Sequence, residues 1–261
     1  MRSIAIMNQK GGVGKTTTAV NVSAALADTG VKVCLIDLDP QAHATLHFGI
    51  DTQSENKSVY DVLIEKQKIA DVRLQINENL YLIPAHLDMV GAELELANAV
   101  GRELILRDAL AEDAMPFDYL IIDCPPSLGL FTLNALTAVQ EVLVPLQPQY
   151  FSLRGFMQLL KTLEAVSRRL NKQLKLSSVL FTLYDETRLS TEVVQDVKNF
   201  FAQREALPKV CQETQVFETK IRRNVRLAEA PGFGKPIFGY DAHSNGAEDY
   251  RRLAEEMLKT M

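Results

Sequence analysis

Six apolar runs rich in β-branched residues punctuate the chain, at 3–7 (SIAIM), 32–39 (KVCLIDLD), 80–85 (LYLIPA), 119–126 (YLIIDCPP), 141–148 (EVLVPLQP) and 176–185 (LSSVLFTLYD). Each is nearly continuous rather than alternating, as expected of strands buried on both faces of a parallel sheet. Between them the spacing turns helical, at 16–28, 91–98, 102–112, 128–139, 153–170 and 191–204, and a charged helix at about 246–261 closes the chain. Alternating strand and helix predict an α/β fold: a doubly wound, mostly parallel sheet flanked by helices, with right-handed crossovers and a ligand at the carboxyl ends of the strands. No repeat or low-complexity linker interrupts the pattern, so residues 1–261 are expected to form a single domain.

Composition narrows the classes. With 47% hydrophobic residues over 261 positions, the chain can bury a large core. No apolar run approaches the roughly 18 residues of a membrane-spanning helix, and MRSIAIMNQK lacks the long apolar region of a signal peptide, which together imply a cytoplasmic protein. Cys34, Cys124 and Cys211 have no metal-ligand spacing and are expected to be buried reduced thiols. A net charge of −5 argues against a globally basic nucleic-acid binder, so any contact with nucleic acid must come from a local patch.

The chemistry begins after the first run, where residues 10–17 read KGGVGKTT ahead of a helix. Gly11, Gly12 and Gly14 allow the backbone to approach closely and converge several N–H groups on phosphates, with Val13 between them. The helix that follows aims its positive end at the same anion. Lys15 supplies a point charge for the β and γ phosphates, and the Thr16 hydroxyl, followed by Thr17, is placed to ligate Mg²⁺. The run at 119–126 has the form of a Walker B strand, delivering Asp123 at its carboxyl end to hold Mg²⁺ through water. Asp37 and Asp39 end another strand. Two carboxylates near a polyphosphate repel it unless one manages metal or water.

One lysine suffices for a P-loop; Lys10 is the addition. With it, KGGVGKTT resembles the deviant Walker A motif of the ParA, Soj and MinD group of ATPases. The resemblance implies a P-loop ATPase that binds ATP/ADP and Mg²⁺, with Lys10 reaching across a face-to-face homodimer to the nucleotide of the other subunit. It implies that Asp39, the second aspartate of D-x-D-P-Q, lies near the attacking water and the outer Mg²⁺ shell, leaving Asp37 a structural role. The turn Pro125-Pro126 to Gly129 resembles the family's γ-phosphate-sensing switch. Cys124 stands where a catalytic glutamate is absent, so slow hydrolysis is expected, with Lys10, Lys15 and Asp39 as the catalytic set.

Residues 146–166 and 220–256 resemble the chromosomal ParA or Soj branch. Asn224 matches the asparagine that contacts adenine there, although Arg222 replaces a proline that helps line the base pocket. In that branch ATP-bound dimers bind DNA without sequence preference and respond to a ParB-like protein. Arg223 matches a DNA-binding arginine, within the cluster Lys220, Arg222, Arg223 and Arg226; Arg188 lies one position away from the other. A solvated surface cluster is the alternative. No helix-turn-helix segment precedes the P-loop, so operator-specific repression is not expected, and a nucleoid-associated segregation ATPase is. Ala42 and His43 stand where the family commonly has Gly-Asn, and Gln149 and Arg154 where it often has glutamates. His47 is either a pH-sensitive partner or a packed residue. Two other readings remain: a MinD-like regulator whose terminal helix meets a membrane, and a ParA-like protein that positions a protein cargo. An electron-transferring relative needs bridging cysteines, for which no suitable pair is evident.

Overall fold

The computed structural model describes residues 1–52, 57–113, 117–150 and 152–259, and of 152–154 the backbone only, so the Arg154 side chain and the last two positions of the expected terminal helix lie outside the described residues. Eight strands are present: β1 (Arg2–Ile6), β2 (Val33–Asp37), β3 (Leu74–Gln75), β4 (Leu80–Ile83), β5 (Tyr119–Asp123), β6 (Glu141–Leu146), β7 (Lys175–Tyr184) and β8 (Gln215–Arg222). They form one sheet in the order β3-β4-β2-β5-β1-β6-β7-β8, parallel throughout except where β3 pairs antiparallel with β4. All six expected strands are there, most of them ending earlier than expected. Where 119–126 was expected, β5 stops at Asp123, before Pro125 and Pro126, whose missing N–H groups cannot feed a ladder.

Alternation along each strand divides the core. Ile4 and Ile6 of β1 pack on one side of the sheet with Leu35, Ile121 and the helix Lys15–Asp28 (α1). Ala5 packs on the other with Ile36, Ile122 and Val142. Because β5 lies between β2 and β1, Asp123 is in register with Asp37 on one side and Ile6 on the other. Parallel neighbours in register point their side chains to the same face, so the sheet itself brings the two aspartates together.

The six expected helices are present with shifted ends, for example Ile105–Ala111 within 102–112 and Arg188–Ala202 against 191–204. Five short helices were not expected, at His43–His47, Val59–Leu63, Ile69–Val72, Val225–Glu229 and Ile237–Tyr240; each is one turn or little more, too short to show a period. Among the described residues no helix is long and apolar enough to cross a membrane. The terminal helix Asn245–Lys259 lays Tyr250, Leu253, Ala254 and Met257 against the core cluster that includes α1, and all four are buried. Its apolar face is therefore covered by protein. Truncating Leu253, fully buried, to alanine should destabilise the protein by about 2–5 kcal/mol in urea unfolding, whereas an unpacked helix would show almost no change.

Candidate active site

The segment between β1 and α1 follows the carboxyl end of a central strand of the sheet. Gly12 and Gly14 have left-handed backbones, φ 72° and 81°, which glycine adopts without strain. A Cβ at Gly12 would meet open space, and one at Gly14 only the Thr182 Cβ at 3.9 Å. What these positions need is therefore the left-handed turn and an open approach for a ligand, not tight packing. The loop is braced from below: Asn8 Nδ2 donates to the Pro145 carbonyl at 2.7 Å, the Lys10 N–H donates to Asn8 Oδ1 at 3.0 Å, and Thr182 Oγ1 donates to the Val13 carbonyl at 2.7 Å. Thr182 precedes Leu183, whose φ of 49° is unusual for a leucine and falls where the β7–β8 register shifts. The bulge thus turns this end of β7 toward the loop.

The two lysines part company. Lys15 is buried, with Nζ 3.4 Å from the Lys10 carbonyl. Burial lowers its pKa, opposed by the charges of Asp123 and Asp39. Lys10 is exposed, and its Nζ donates to Gln149 Oε1 at 2.8 Å and Gln147 Oε1 at 3.4 Å, beyond the end of β6.

Asp39 and Asp123 lie near Lys15, and Asp37 lies beside Asp123 in the adjacent strand. Asp37 is fully buried and well satisfied: it accepts from the Thr45 N–H and hydroxyl, each at 2.8 Å, and from the Asp39 N–H at 3.2 Å. Burial still pushes its carboxyl up to about 6. Asp39 is buried with one oxygen accepting from the Gln41 N–H at 2.9 Å. Asp123 is fully buried, and neither carboxylate oxygen has a hydrogen-bond partner. Burial raises its pKa well above the ordinary range and the Asp37 charge adds to this, while the nearby Thr16 hydroxyl and Lys15 act the other way. A buried, unpartnered carboxylate beside the hydroxyl of a P-loop threonine fits a site for hydrated Mg²⁺. Among the described residues no group of three or more His, Cys, Asp or Glu could hold a metal unaided; Mg²⁺ characteristically takes the rest of its ligands from water and phosphate.

Asn224 caps the helix Val225–Glu229, accepting from the Arg226 N–H at 2.8 Å. It lines a cavity of about 110 Å³ with Gly14, Thr17, Thr182, Leu183 and Leu227, which runs directly from the P-loop. A larger cavity, about 490 Å³, lies away from this chemistry, between segments 62–73 and 105–113.

The expected basic cluster is less free than its sequence suggests. Arg223 pairs with Asp185 at 3.0 Å, Arg226 with Glu229 at 2.9 Å and Asp241 at 3.5 Å, and Arg188 with Glu192 at 2.9 Å; the Lys220 ammonium lies 4.4 Å from the Tyr184 ring centroid. Arg222 is held most firmly, in ion pairs with Glu248 and with Asp249, whose side chain is 4% exposed. Where the sequence assigned Arg222 to DNA, the structure gives its guanidinium to the fold, fastening β8 to the terminal helix.

Other departures resolve in physical terms. Ala42, where a glycine is common, has φ 52°, so the turn that places Asp39 keeps a left-handed residue without glycine's freedom. His47 is buried, its Nε2 has no partner, and burial lowers its pKa to about 4. It is a neutral packed residue near pH 7. All three cysteines are buried; burial pushes the Cys34 thiol up to about 12, Cys211 to about 11 and Cys124 well above its ordinary value.

A raised carboxyl pKa means that the folded state holds its proton more tightly than the unfolded state. The associated stability is present at low pH and falls as pH rises above the unfolded value of about 4. Asp123→Asn should therefore be more stable than the parent without nucleotide, by about 1–3 kcal/mol at pH 7 in urea unfolding, with the difference shrinking toward pH 4. A difference independent of pH would contradict a buried, unpartnered Asp123 whose pKa is raised by folding.

Comparison with known proteins follows the same lines. The family model described as an AAA domain matches residues 1–176. The sporulation initiation inhibitor protein Soj of Bacillus subtilis is 46% identical over 97% of each chain. The chromosome partitioning protein ParA of Myxococcus xanthus is 45% identical over 99% of this chain and 88% of its own. A crystal structure described as cobyrinic acid a,c-diamide synthase from Mycobacterium smegmatis, with bound ADP and magnesium, is 38% identical with a TM-score of 0.82, over 99% of this chain and 94% of that one. The chain belongs to the Soj and ParA family of partitioning ATPases, on an eight-stranded P-loop fold.

Proposed function

We propose that this chain is an ATP-dependent DNA-segregation ATPase: a nucleoid-associated switch whose ATP-bound homodimer binds DNA without sequence preference and is released by slow hydrolysis that a ParB-like partner stimulates. The observation that carries the reading is the division of labour between Lys15, buried within its own site, and Lys10, exposed at the mouth and, among the described residues, held by two neutral glutamine oxygens. A cation so placed is free to turn to a phosphate presented by a facing copy.

The residues then take distinct roles. Gly11 to Gly14 and the start of α1 hold the phosphates, Lys15 meets the β and γ oxygens, and Asn224 borders the base pocket. Thr16, and Asp123 through water, would hold Mg²⁺, which would supply positive charge to the phosphates. Asp39 is the carboxylate left to orient the attacking water. The residue after Asp123, where a glutamate would be a further base, is Cys124, a buried thiol with its proton held. Slow turnover follows.

The covered apolar face of the terminal helix speaks against the membrane-positioning alternative. For DNA, the cations best placed are Arg223 and Arg188, with side chains 55% and 94% exposed. Lys220 and Arg226 flank them. Binding exchanges a carboxylate partner for a phosphate, so it should be weak per site and sensitive to salt.

The test is DNA binding by the purified protein with ATP, ADP or no nucleotide at two salt concentrations, beside Arg223→Ala and Lys10→Ala. ATP-dependent binding that weakens with salt is expected, with Arg223→Ala losing about tenfold in affinity while still dimerising. Lys10→Ala should lose ATP-dependent dimerisation. No binding in any nucleotide state, or a Lys10→Ala protein that dimerises like the parent, would sink the proposal.

A further inference from the structure

The turn that follows Asp123 is anchored at both ends, and the far anchor comes from elsewhere in the chain. Its near end is set by the sheet, where the Cys124 N–H donates to the Ile6 carbonyl at 3.2 Å. Residues 126–128 are then exposed. The far end is the first turn of the helix Leu130–Ala138, whose N-cap position is Gly129 and which has no side-chain cap of its own. Its Leu130 N–H donates instead to Glu93 Oε1 at 2.9 Å. Glu93 lies on the helix Met89–Leu96 and is partly buried.

Gly129 makes this contact possible. Its φ of −82° would suit any residue, so conformational freedom is not why a glycine stands here. A Cβ at Gly129 would collide with the Glu93 carboxylate. The glycine is thus a recess for a carboxylate that caps the next residue. An anion at a helix N-terminus also meets the positive end of the helix dipole. Two residues 36 apart in sequence, each unremarkable alone, form one built contact.

We infer that Glu93 is a positioning residue for ATP hydrolysis: by accepting the Leu130 N–H in the recess at Gly129, it fixes the far end of the turn from Pro125 to Leu128, the segment that leaves the site after Asp123. The inference rests on the ATPase reading above. The turn is otherwise tied mainly by Thr132 Oγ1, which donates to the Ser127 carbonyl at 2.6 Å from within the same helix. That bond moves with the helix, whereas Glu93 ties the helix's first turn to a separate element, as Asn134 and Thr137 tie its later turns to Arg102 and Glu103. Losing it should leave the P-loop intact, and with it ATP affinity, while loosening the geometry of the step that hydrolyses ATP.

The experiment compares steady-state ATP hydrolysis, in the presence of Mg²⁺ and DNA, by the parent, Glu93→Ala, Glu93→Gln and Gly129→Ala, with melting temperatures alongside. Glu93→Ala should lower kcat about fivefold or more with KM for ATP within about twofold of the parent. Glu93→Gln, which keeps an acceptor oxygen, should recover most of the rate. Gly129→Ala, which fills the recess, should reproduce the loss and serves if Glu93→Ala does not fold. A Glu93→Ala kcat equal to the parent's, or a Glu93→Gln protein as slow as Glu93→Ala, would overturn the inference. A parent that does not hydrolyse ATP would instead count against the ATPase reading, which the parent's own rate tests separately.

Discussion

Asp123 lacks the one interaction that its surroundings make necessary, and much of the molecule is arranged about that deficit. A carboxylate buried at the end of a central strand without a donor is costly, by several kcal/mol when charged. Asp37, in register on the next strand, makes it worse, and Lys15 only partly compensates. Two carboxylates, Asp39 and Asp123, act on the one ammonium, and Asp37 lies beside Asp123, so the local balance favours a cation. On the proposed reading, a metal with its phosphates would supply that cation and an anion together, the anion falling to Lys15 and the N-terminus of α1. Binding energy that relieves a strained site also stabilises the fold that contains it. Nucleotide and fold are therefore coupled through a single buried group.

Position explains why this deficit can be used. In a doubly wound sheet the carboxyl ends of the central strands open onto loops, and β1 and β5 are adjacent there. The loop after β1 carries the glycines, and the turn after β5 carries the exposed residues 126–128. Each is braced by a different neighbour: the first by Asn8 and Thr182, the second by Glu93. On the proposed reading, phosphate binding and response to phosphate would reside in segments with separate supports, which allows one to stay rigid while the other moves.

Most of this was legible in the residues. Continuous apolar runs gave away the six strands buried on both faces, and the glycines with Lys15 gave away the P-loop, because both signals are local. β3 was not legible because it is two residues long, and β8 because QVFETKIR, at the sheet edge, has three apolar residues in eight and neither runs apolar nor alternates. The pairing of the basic cluster was hidden for a different reason. Arg223 meets Asp185 and Arg222 meets Asp249, partners 38 and 27 residues away, so a linear reading counts the cations and misses their counterions. Glu93 escaped for the same reason, since its meaning depends on a glycine 36 residues later. Ala42 shows the converse case: the missing glycine was visible, but only the backbone shows that the left-handed turn persists without it.

The paired arginines also bear on how nucleotide could govern DNA binding on the proposed reading. An arginine already facing a carboxylate gains little by exchanging it for a phosphate in water, so one protomer offers DNA a weak site. Nothing in the cluster need be rearranged by ATP for this to change. Joining two protomers makes the second contact intramolecular, and affinity then rises by the effective concentration of the second site rather than by any new bond. Weakness of the single site is what makes such a switch sharp: a fully exposed, unpaired basic patch would hold DNA as a monomer and leave dimerisation with little to control. The acidic partners, unhelpful to binding when taken one at a time, thereby make DNA affinity depend on the nucleotide held at Lys15 and the reach of Lys10.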